Sequence, residues 1–192
     1  MHKNIILCGV GGQGTVLASK LIAAAAMARD IPVMSAETIG MAQRGGSVFS
    51  HLRMGKGIHS PMIAEHTADL ILGFEPGEVV RMLPYLKKDG QVVVSSRSIM
   101  PVTASLAGSD YSGDEMLSYL KTCVDKLLII DTPKALKELG SPKTLNILLL
   151  GAAASWGALG LSCEDLKEAI RRKLPAKFHE MNFRALEYTQ NM

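Results

Sequence analysis

The residues of this sequence best suited to chemistry form a glycine-rich segment, Gly9-Val10-Gly11-Gly12-Gln13-Gly14. An apolar run of strand type, residues 4–8, leads into it, and an alanine- and leucine-rich run over residues 15–29 follows with helical spacing. Glycine permits positive φ and close approach to the backbone, and a helix N-terminus favours an anion. The pattern therefore predicts a turn that binds a phosphate or carboxylate. The predicted binding residues are Gly9, Gly11, Gly12, Gln13, Gly14 and Thr15.

The spacing of Gly9, Gly11 and Gly14 fits G-x-G-x-x-G, a pattern that also occurs in tight strand-to-helix turns without a ligand. A dinucleotide site would need an acidic residue after the second strand, about 20 residues further on, to hold a ribose. Glu37 follows the short apolar run 31–34 and is the candidate for that role. It could equally begin the next turn, so the sequence leaves both roles of Glu37 open.

A second segment, GMAQRGGS at residues 40–47, places one arginine before paired glycines. A guanidinium group can bind phosphate or carboxylate through two parallel hydrogen bonds. Residues 1–60 carry six lysines and arginines against two acids, so positive charge concentrates around the two loops. We expect Arg44, Gly45 and Gly46 to bind an anion together with the glycine-rich turn. The alternative is an ordinary solvated arginine in a turn.

The composition argues against several other kinds of site. A net charge of +3 is too small for a nucleic-acid binder. The three cysteines form no C-x-x-C pair and cannot supply the four thiolates of an iron–sulfur cluster, and their scatter indicates a reducing, cytoplasmic compartment. His51 and His59 lack a third ligand and are predicted as surface residues, so no metal site is expected. No catalytic motif or pair of catalytic carboxylates is recognisable, which leaves a binding loop and no catalytic residue.

Strand and helix patterns alternate without a linker, which predicts a single domain over residues 1–192. The predicted fold class is α/β: three layers, α/β/α, around a Rossmann-like, mostly parallel open sheet with an antiparallel hairpin. The hairpin is predicted to join residues 47–54 to residues 58–63. Residues 96–114 are predicted as an exposed excursion. The charge-free stretch 144–163 contains three glycines and is predicted as a buried helix rather than a membrane span.

Taken together, the two loops resemble the gamma subunit, or gamma domain, of the 2-oxoacid:ferredoxin oxidoreductases. The glycine-rich turn and the Arg44-Gly45-Gly46 motif carry this resemblance, which extends over nearly the whole chain. Residues 40–48, GMAQRGGSV, are similar to the indolepyruvate branch, whose small subunit is called beta. Further similar segments are residues 68–76, 83–87, 90–94 and 146–151.

This resemblance implies that the chain works inside a heteromeric complex. In the family, a 2-oxoacid, CoA and oxidised ferredoxin become an acyl-CoA, CO2 and reduced ferredoxin. Thiamine diphosphate with Mg²⁺ and the [4Fe-4S] clusters sit on other subunits or domains, which agrees with the absence of clustered cysteines here. The implied partners are the large subunit and, through the complex, ferredoxin, while a homodimer of the small subunit is left open. The isolated chain is expected to be inactive and its loops to help hold CoA.

Two other classes of enzyme share a glycine-rich loop and stay open as alternatives. Adenylating enzymes of the ubiquitin-activating type usually carry Asp-x-Asp after the second strand, where this chain has Ser35-Ala36-Glu37. They also often carry a zinc-binding C-x-x-C, which this sequence lacks. A free-standing NAD(P)-dependent dehydrogenase would need a catalytic acid or base that the sequence does not place. ATP–pyrophosphate exchange would indicate the first class, and nicotinamide binding by the isolated chain the second.

Overall fold

Six β-strands and seven α-helices alternate along the residues that the structure, a computed structural model, describes, namely 2–39, 46–100 and 111–191. The strands are β1 (Lys3–Val10), β2 (Val33–Ile39), β3 (Ser47–Met54), β4 (Ala68–Gly73), β5 (Leu86–Ser95) and β6 (Lys126–Ile130). The helices are α1 (Thr15–Met27), α2 (Pro76–Met82), α3 (Gly113–Cys123), α4 (Thr132–Leu139), α5 (Leu145–Ser155), α6 (Cys163–Lys173) and α7 (His179–Glu187).

All six strands belong to one sheet with the order β2-β3-β1-β4-β5-β6. The pairs β1–β4, β4–β5 and β5–β6 are parallel, whereas β3 runs antiparallel to both of its neighbours, β1 and β2. This mostly parallel α/β sheet confirms the predicted fold class. Because parallel strands end at the same edge, the residues after β1, β4, β5 and β6 meet there, together with the start of the antiparallel β3. That edge is where ligands of open α/β sheets bind.

Side chains alternate between two apolar layers along each central strand. Ile5 and Leu7 of β1 belong to the larger core, which α1, α5, α6 and α7 cover. Ile6 and Cys8 point to the other face and pack with side chains of α2 and α3. A fully buried leucine or isoleucine stabilises the fold by roughly 1.5–3 kcal/mol, so both layers fix the position of β1 and of the loop that follows it. Helix α5 is buried along most of its length, as the charge-free stretch predicts.

The predicted hairpin between residues 47–54 and 58–63 is wrong. Residues 58–63 form no strand, and β3 instead pairs with β2 on one side and β1 on the other. Strand β3 therefore pairs with the strand that precedes it in the chain, β2, and not with the segment that follows it. The pattern of β3 did not reveal this, because alternation identifies a strand but not the strands beside it.

The prediction that His51 is a surface residue is also wrong, whereas His59 is exposed as expected. His51 lies on β3 with 1% of its surface accessible, between Phe49 and Tyr85. The backbone N–H of Ile63 donates to His51 Nδ1 at 3.1 Å. The segment that was predicted as the second hairpin strand thus folds over the face of β3 and buries this histidine. Burial lowers the pKa of His51 below its ordinary value.

The helix boundaries follow local signals closely. Ser162 caps α6 in a capping box, in which its hydroxyl accepts from the Asp165 N–H while the Asp165 carboxylate accepts from the Ser162 N–H. A serine three residues before an aspartate at the start of a helical pattern is the sequence signature of such a cap. None of the helices within the described ranges is long and apolar enough to cross a membrane.

Candidate functional site

The glycine-rich turn between β1 and α1 is held by the side chain of Gln13. Gln13 Oε1 accepts from the Val10 N–H at 2.8 Å, and Gln13 Nε2 donates to the carbonyl oxygen of Phe74 at 2.8 Å. The Phe74 N–H in turn donates to the carbonyl of Cys8 at 2.8 Å. The predicted binding residue Gln13 therefore uses both ends of its amide to join the end of β1 to the end of β4. Gly9 is part of β1, where it is buried and paired with Val48.

At the start of α1, two backbone N–H groups of the turn have no hydrogen-bond partner among the described residues. Gly12 and Gly14 have φ values of +97° and +83°, a conformation that favours glycine. Within the described residues neither of their N–H groups makes a hydrogen bond, and the first bond of α1 runs from the Ala18 N–H to the carbonyl of Gly14. Thr15, the first residue of α1, is buried. These free donors lie at the positive end of a 13-residue helix, an arrangement suited to an anion.

The structure brings the end of the second predicted loop against the first. The Gly11 N–H donates to the carbonyl oxygen of Gly46 at 2.9 Å. Next to it, the Ser47 hydroxyl donates to Glu78 Oε2 of α2 at 2.5 Å. Arg44 and Gly45 lie outside the described residues, so their predicted part in anion binding stays a prediction. Gly46 nevertheless shows that the chain enters β3 directly beside the glycine-rich turn.

Glu37 does not lie beside the glycine-rich turn. It is exposed on β2, the edge strand, and the antiparallel β3 separates it from β1. In the sheet Glu37 pairs with Ser50, and Ser50 pairs with Leu7, which precedes the turn. In a dinucleotide-binding sheet the corresponding acid follows a strand that adjoins the first one. The extra strand between them places Glu37 away from that position.

A cleft of about 500 Å³ opens beside the glycine-rich turn and contains two cations that the sequence analysis missed. Both Arg97 and Lys143 are exposed, and neither forms an ion pair with another described residue. The volume lies in the range of small-molecule sites, and the free N–H groups share the cleft with these charges. The lining residues are Gly11, Gly12, Gln13, Gly14, Leu17, Arg97, Ile99, Pro142, Lys143, Leu145 and Asn146.

Polar contacts fix the chain segments that carry these two cations. The Arg97 N–H donates to the Ser95 hydroxyl at 3.1 Å, and that hydroxyl lies 2.6 Å from the hydroxyl of Thr132 at the start of α4. The Lys143 N–H donates to the hydroxyl of Ser141 at 3.3 Å. Arg97 thus follows β5, and Lys143 precedes α5, at the sheet edge where the turn also lies.

Helix α5 contributes a buried amide to the same cleft. Asn146 is 4% exposed, and its Nδ2 donates to the carbonyl of Gly14 at 3.4 Å. A Cβ on Gly14 would lie 2.8 Å from this nitrogen. The start of α5 therefore packs directly on the start of α1, and glycine at position 14 leaves room for that contact.

The described lining of the cleft has the chemistry of an anion-binding site. No described side chain of the cleft is a carboxylate, thiol or histidine, and the charged groups are the guanidinium and the ammonium. Cys8 lies near the turn, but burial first, and then Glu78 and Glu75, raise the pKa of its thiol well above the ordinary value. It therefore stays a neutral, buried thiol at physiological pH. Within the described ranges no three histidine, cysteine or acidic side chains are grouped to hold a metal ion.

Comparison with known sequences identifies the family. Residues 4–191 match the family described as pyruvate ferredoxin/flavodoxin oxidoreductase, which is almost the whole chain. The chain belongs to this family. It is 39% identical over 186 residues to the indolepyruvate oxidoreductase subunit IorB of Thermococcus kodakarensis, covering 96% of this chain and 92% of that one. It is 31% identical over 181 residues to the pyruvate/ketoisovalerate oxidoreductases common subunit gamma of Pyrococcus furiosus, covering 92% and 89%.

Solved structures of the oxidoreductase family have the same fold. The gamma subunit of a keto/oxoacid ferredoxin oxidoreductase from Geobacter sulfurreducens superposes with a TM-score of 0.70 at 21% identity, over 98% of this chain and 96% of that one. The 2-oxoglutarate:ferredoxin oxidoreductase of Magnetococcus marinus, solved with 2-oxoglutarate, coenzyme A and succinyl-CoA bound, gives 0.72 at 19% identity. There the match covers 97% of this chain but 30% of the larger one. These structures show the fold, and the matches to the family and to its sequences confirm the family resemblance predicted from the two loops.

Proposed function

We propose that this chain is the small subunit of a cytoplasmic 2-oxoacid:ferredoxin oxidoreductase that acts on indolepyruvate or a related aryl pyruvate. The ranking of its relatives supports the substrate class. Four indolepyruvate oxidoreductase subunits are 33–39% identical to it, whereas four pyruvate/ketoisovalerate gamma subunits are 28–31% identical. Neither an adenylating enzyme nor a nicotinamide-dependent dehydrogenase finds support in these comparisons.

The partner in this proposal is a large subunit that carries thiamine diphosphate with Mg²⁺ and the [4Fe-4S] clusters and passes electrons to ferredoxin. The cysteines of the small subunit do not fit a cluster, since Cys8 is buried in β1, Cys123 is exposed at the end of α3 and Cys163 begins α6. The described lining of the cleft also provides no carboxylate, histidine or thiol. We therefore expect the isolated chain to be inactive and to act by binding and positioning within the complex.

One observation supports the proposed role of the cleft. Backbone N–H groups without a partner among the described residues line the same space of about 500 Å³ as Arg97 and Lys143. Backbone donors at a helix start and a forked guanidinium both suit phosphate oxygens. Among the substrates of this reaction, CoA carries phosphates, whereas the 2-oxoacid carries one carboxylate. The apolar side chains of Leu17, Ile99 and Leu145 can contact the uncharged parts of such a ligand. We therefore propose that the cleft binds the phosphates of CoA.

Calorimetric titration of the full-length chain with CoA tests this binding directly. Arg97→Ala and Lys143→Ala should each raise the Kd for CoA by roughly ten- to a hundredfold, the effect of losing one charge-assisted hydrogen bond. Arg184→Ala removes the same charge from an exposed position outside the cleft and is the matched control. A second titration with thiamine diphosphate, the other diphosphate-bearing compound of the reaction, shows by its Kd whether the cleft prefers CoA. Equal Kd values for wild type and both cleft variants would reject the proposed site.

Reconstitution with the large subunit tests the substrate and the division of labour. The complex should reduce ferredoxin or a viologen dye in the presence of an aryl pyruvate and CoA, while the small subunit alone should not. The value of kcat/KM should be higher for indolepyruvate than for pyruvate or 2-oxoglutarate. A preference for either small acid would refute the substrate class and leave the family membership intact. Turnover by the small subunit alone would refute its role as a binding subunit.

A further inference from the structure

Glu75 is a buried carboxylate next to the cleft, and ion pairing does not explain its burial. It follows β4, is 2% exposed and forms no ion pair within the part of the chain that is described. Such a group is costly to bury unless hydrogen-bond donors surround it. Oε2 accepts from the Glu78 N–H at 3.0 Å, which caps α2. Oε1 accepts from the Ile99 N–H at 3.4 Å and from the hydroxyl of Tyr111. The two oxygens therefore have separate functions.

The donors to Glu75 Oε1 come from two points on the chain between β5 and α3. Ile99 lies shortly after β5, and Tyr111 lies shortly before α3. The oxygen of Tyr111 also accepts from the Gly77 N–H at 3.1 Å, which ties it to the first turn of α2. Burial, followed by the hydrogen bond to Glu75, raises the pKa of Tyr111, so its phenol keeps the proton that it donates. One carboxylate oxygen thus joins both of these points to α2.

The same segment forms one wall of the cleft. Arg97 and Ile99 both line it, and the backbone of Arg97 is held on its other side by the Ser95 hydroxyl. The position of Arg97 therefore depends on two contacts, one at the end of β5 and one at Glu75. Because Ile99 is two residues from Arg97, a change at Glu75 Oε1 reaches the guanidinium through a very short piece of chain.

We propose that Glu75 and Tyr111 are positioning residues that hold the segment 97–99 against the glycine-rich turn and thereby set the affinity of the cleft for phosphate. This inference rests on the proposed function for the identity of the ligand, and on the contacts above for the positioning itself. Tyr111→Phe separates the two functions of Glu75. It removes the hydroxyl that donates to Oε1 and accepts from the Gly77 N–H, and it leaves the α2 cap at Oε2 in place.

The test is a double-mutant cycle on the full-length chain, with calorimetric titration of CoA. Tyr111→Phe should raise the Kd for CoA about three- to tenfold, as expected for one lost hydrogen bond. In the Arg97→Ala background the same substitution should have little further effect, because Tyr111 acts through Arg97. Tyr188→Phe removes a comparable hydroxyl–carboxylate contact, that of Tyr188 with Glu138 at 2.5 Å, outside the cleft lining, and should leave the Kd unchanged. In the assembled complex, Tyr111→Phe should raise KM for CoA and leave kcat unchanged.

Hydrogen exchange provides a measurement that needs no ligand. The backbone amide of Ile99 should exchange faster in Tyr111→Phe than in wild type, while amides of the α1 core should not change. Unchanged exchange at Ile99, or Kd effects of Tyr111→Phe and Arg97→Ala that simply multiply, would overturn the inference. If wild type fails to bind CoA, the proposed ligand is refuted, and the exchange rate of Ile99 alone decides whether Tyr111 holds the segment.

Discussion

Gly14→Ala should destabilise the protein, because the added methyl group meets Asn146 in a conformation that alanine rarely adopts. Gly14 has a φ of +83°, and its Cβ would lie 2.8 Å from Asn146 Nδ2. The left-handed conformation costs a residue with a side chain about 1–2 kcal/mol. Displacing Asn146 from its bond to the Gly14 carbonyl adds roughly 1 kcal/mol. We expect the free energy of unfolding to fall by about 2–3 kcal/mol, which lowers Tm by about 4–12 °C in a chain of this size.

Gly12→Ala is the matched control for this prediction. Its φ of +97° is also unfavourable for alanine, but among the described residues no atom apart from those of its chain neighbours lies within 4 Å of the added Cβ. The loss of stability should therefore be confined to the conformational part, roughly 1–2 kcal/mol. The methyl group would, however, project beside the free N–H groups of the turn and weaken CoA binding. Urea unfolding and calorimetry on both variants separate these effects. Equal losses of stability would contradict the contact with Asn146, and unchanged CoA binding by Gly12→Ala would contradict the placing of the ligand.

Three further predictions concern the core, the pH dependence and the two predicted loops. Gly151→Ala should lower the free energy of unfolding by about 1–3 kcal/mol, measured in urea, because an added Cβ would overlap the backbone carbonyl of Leu186. Burial lowers the pKa of His51, so the unfolded chain binds more protons, and stability should fall as pH decreases below the ordinary value of 6.5. His51→Gln should flatten this decrease between about pH 7.5 and 5.5, and an unchanged slope would refute the assignment to His51. Gly11→Val and Arg44→Ala should each stay folded yet weaken CoA binding or assembly with the large subunit. Wild-type behaviour of both in titration and co-purification would mean that the two loops are structural turns.

Features encoded by neighbouring residues could be predicted from the sequence. The glycine-rich turn lies between a strand and a helix as expected, because an apolar run, clustered glycines and a helical pattern follow one another directly. The cap at Ser162 and the buried helix α5 depend on equally local signals, a hydroxyl before an acidic first turn and a charge-free run. The mostly parallel sheet follows from the alternation of strands and helices.

The order of the strands could not be predicted in the same way. Strand β3 enters the sheet between β1 and β2, and no local pattern states which strands will be its neighbours. The predicted partner of β3 is therefore wrong, and the sequence did not reveal that His51 on β3 is buried. The separation of Glu37 from the glycine-rich turn has the same cause, because one inserted strand moves β2 to the edge.

The cations of the cleft were missed because the fold brings them together from distant parts of the sequence. Arg97 follows β5 and Lys143 precedes α5, so neither is near the glycine-rich turn in the chain. In the sequence each is an ordinary charged residue in a polar segment, and only the folded sheet edge brings both into one cleft. A usable signal was the position of Arg97 just after a buried parallel strand, since such positions gather at the binding edge of an open sheet. Glu75 has the same signal, because it follows the buried strand β4, whereas Tyr111 has none and its contact with Glu75 depends on tertiary packing.

The most direct test of the account is the steady-state kinetics of the complex of this chain with its large subunit, in which the small subunit carries both Arg97→Ala and Lys143→Ala. If the cleft binds the phosphates of CoA, KM for CoA should rise at least about a hundredfold, while KM for indolepyruvate should stay at its wild-type value. Unchanged KM for CoA, or a rise confined to indolepyruvate, would contradict the assignment of the cleft to CoA.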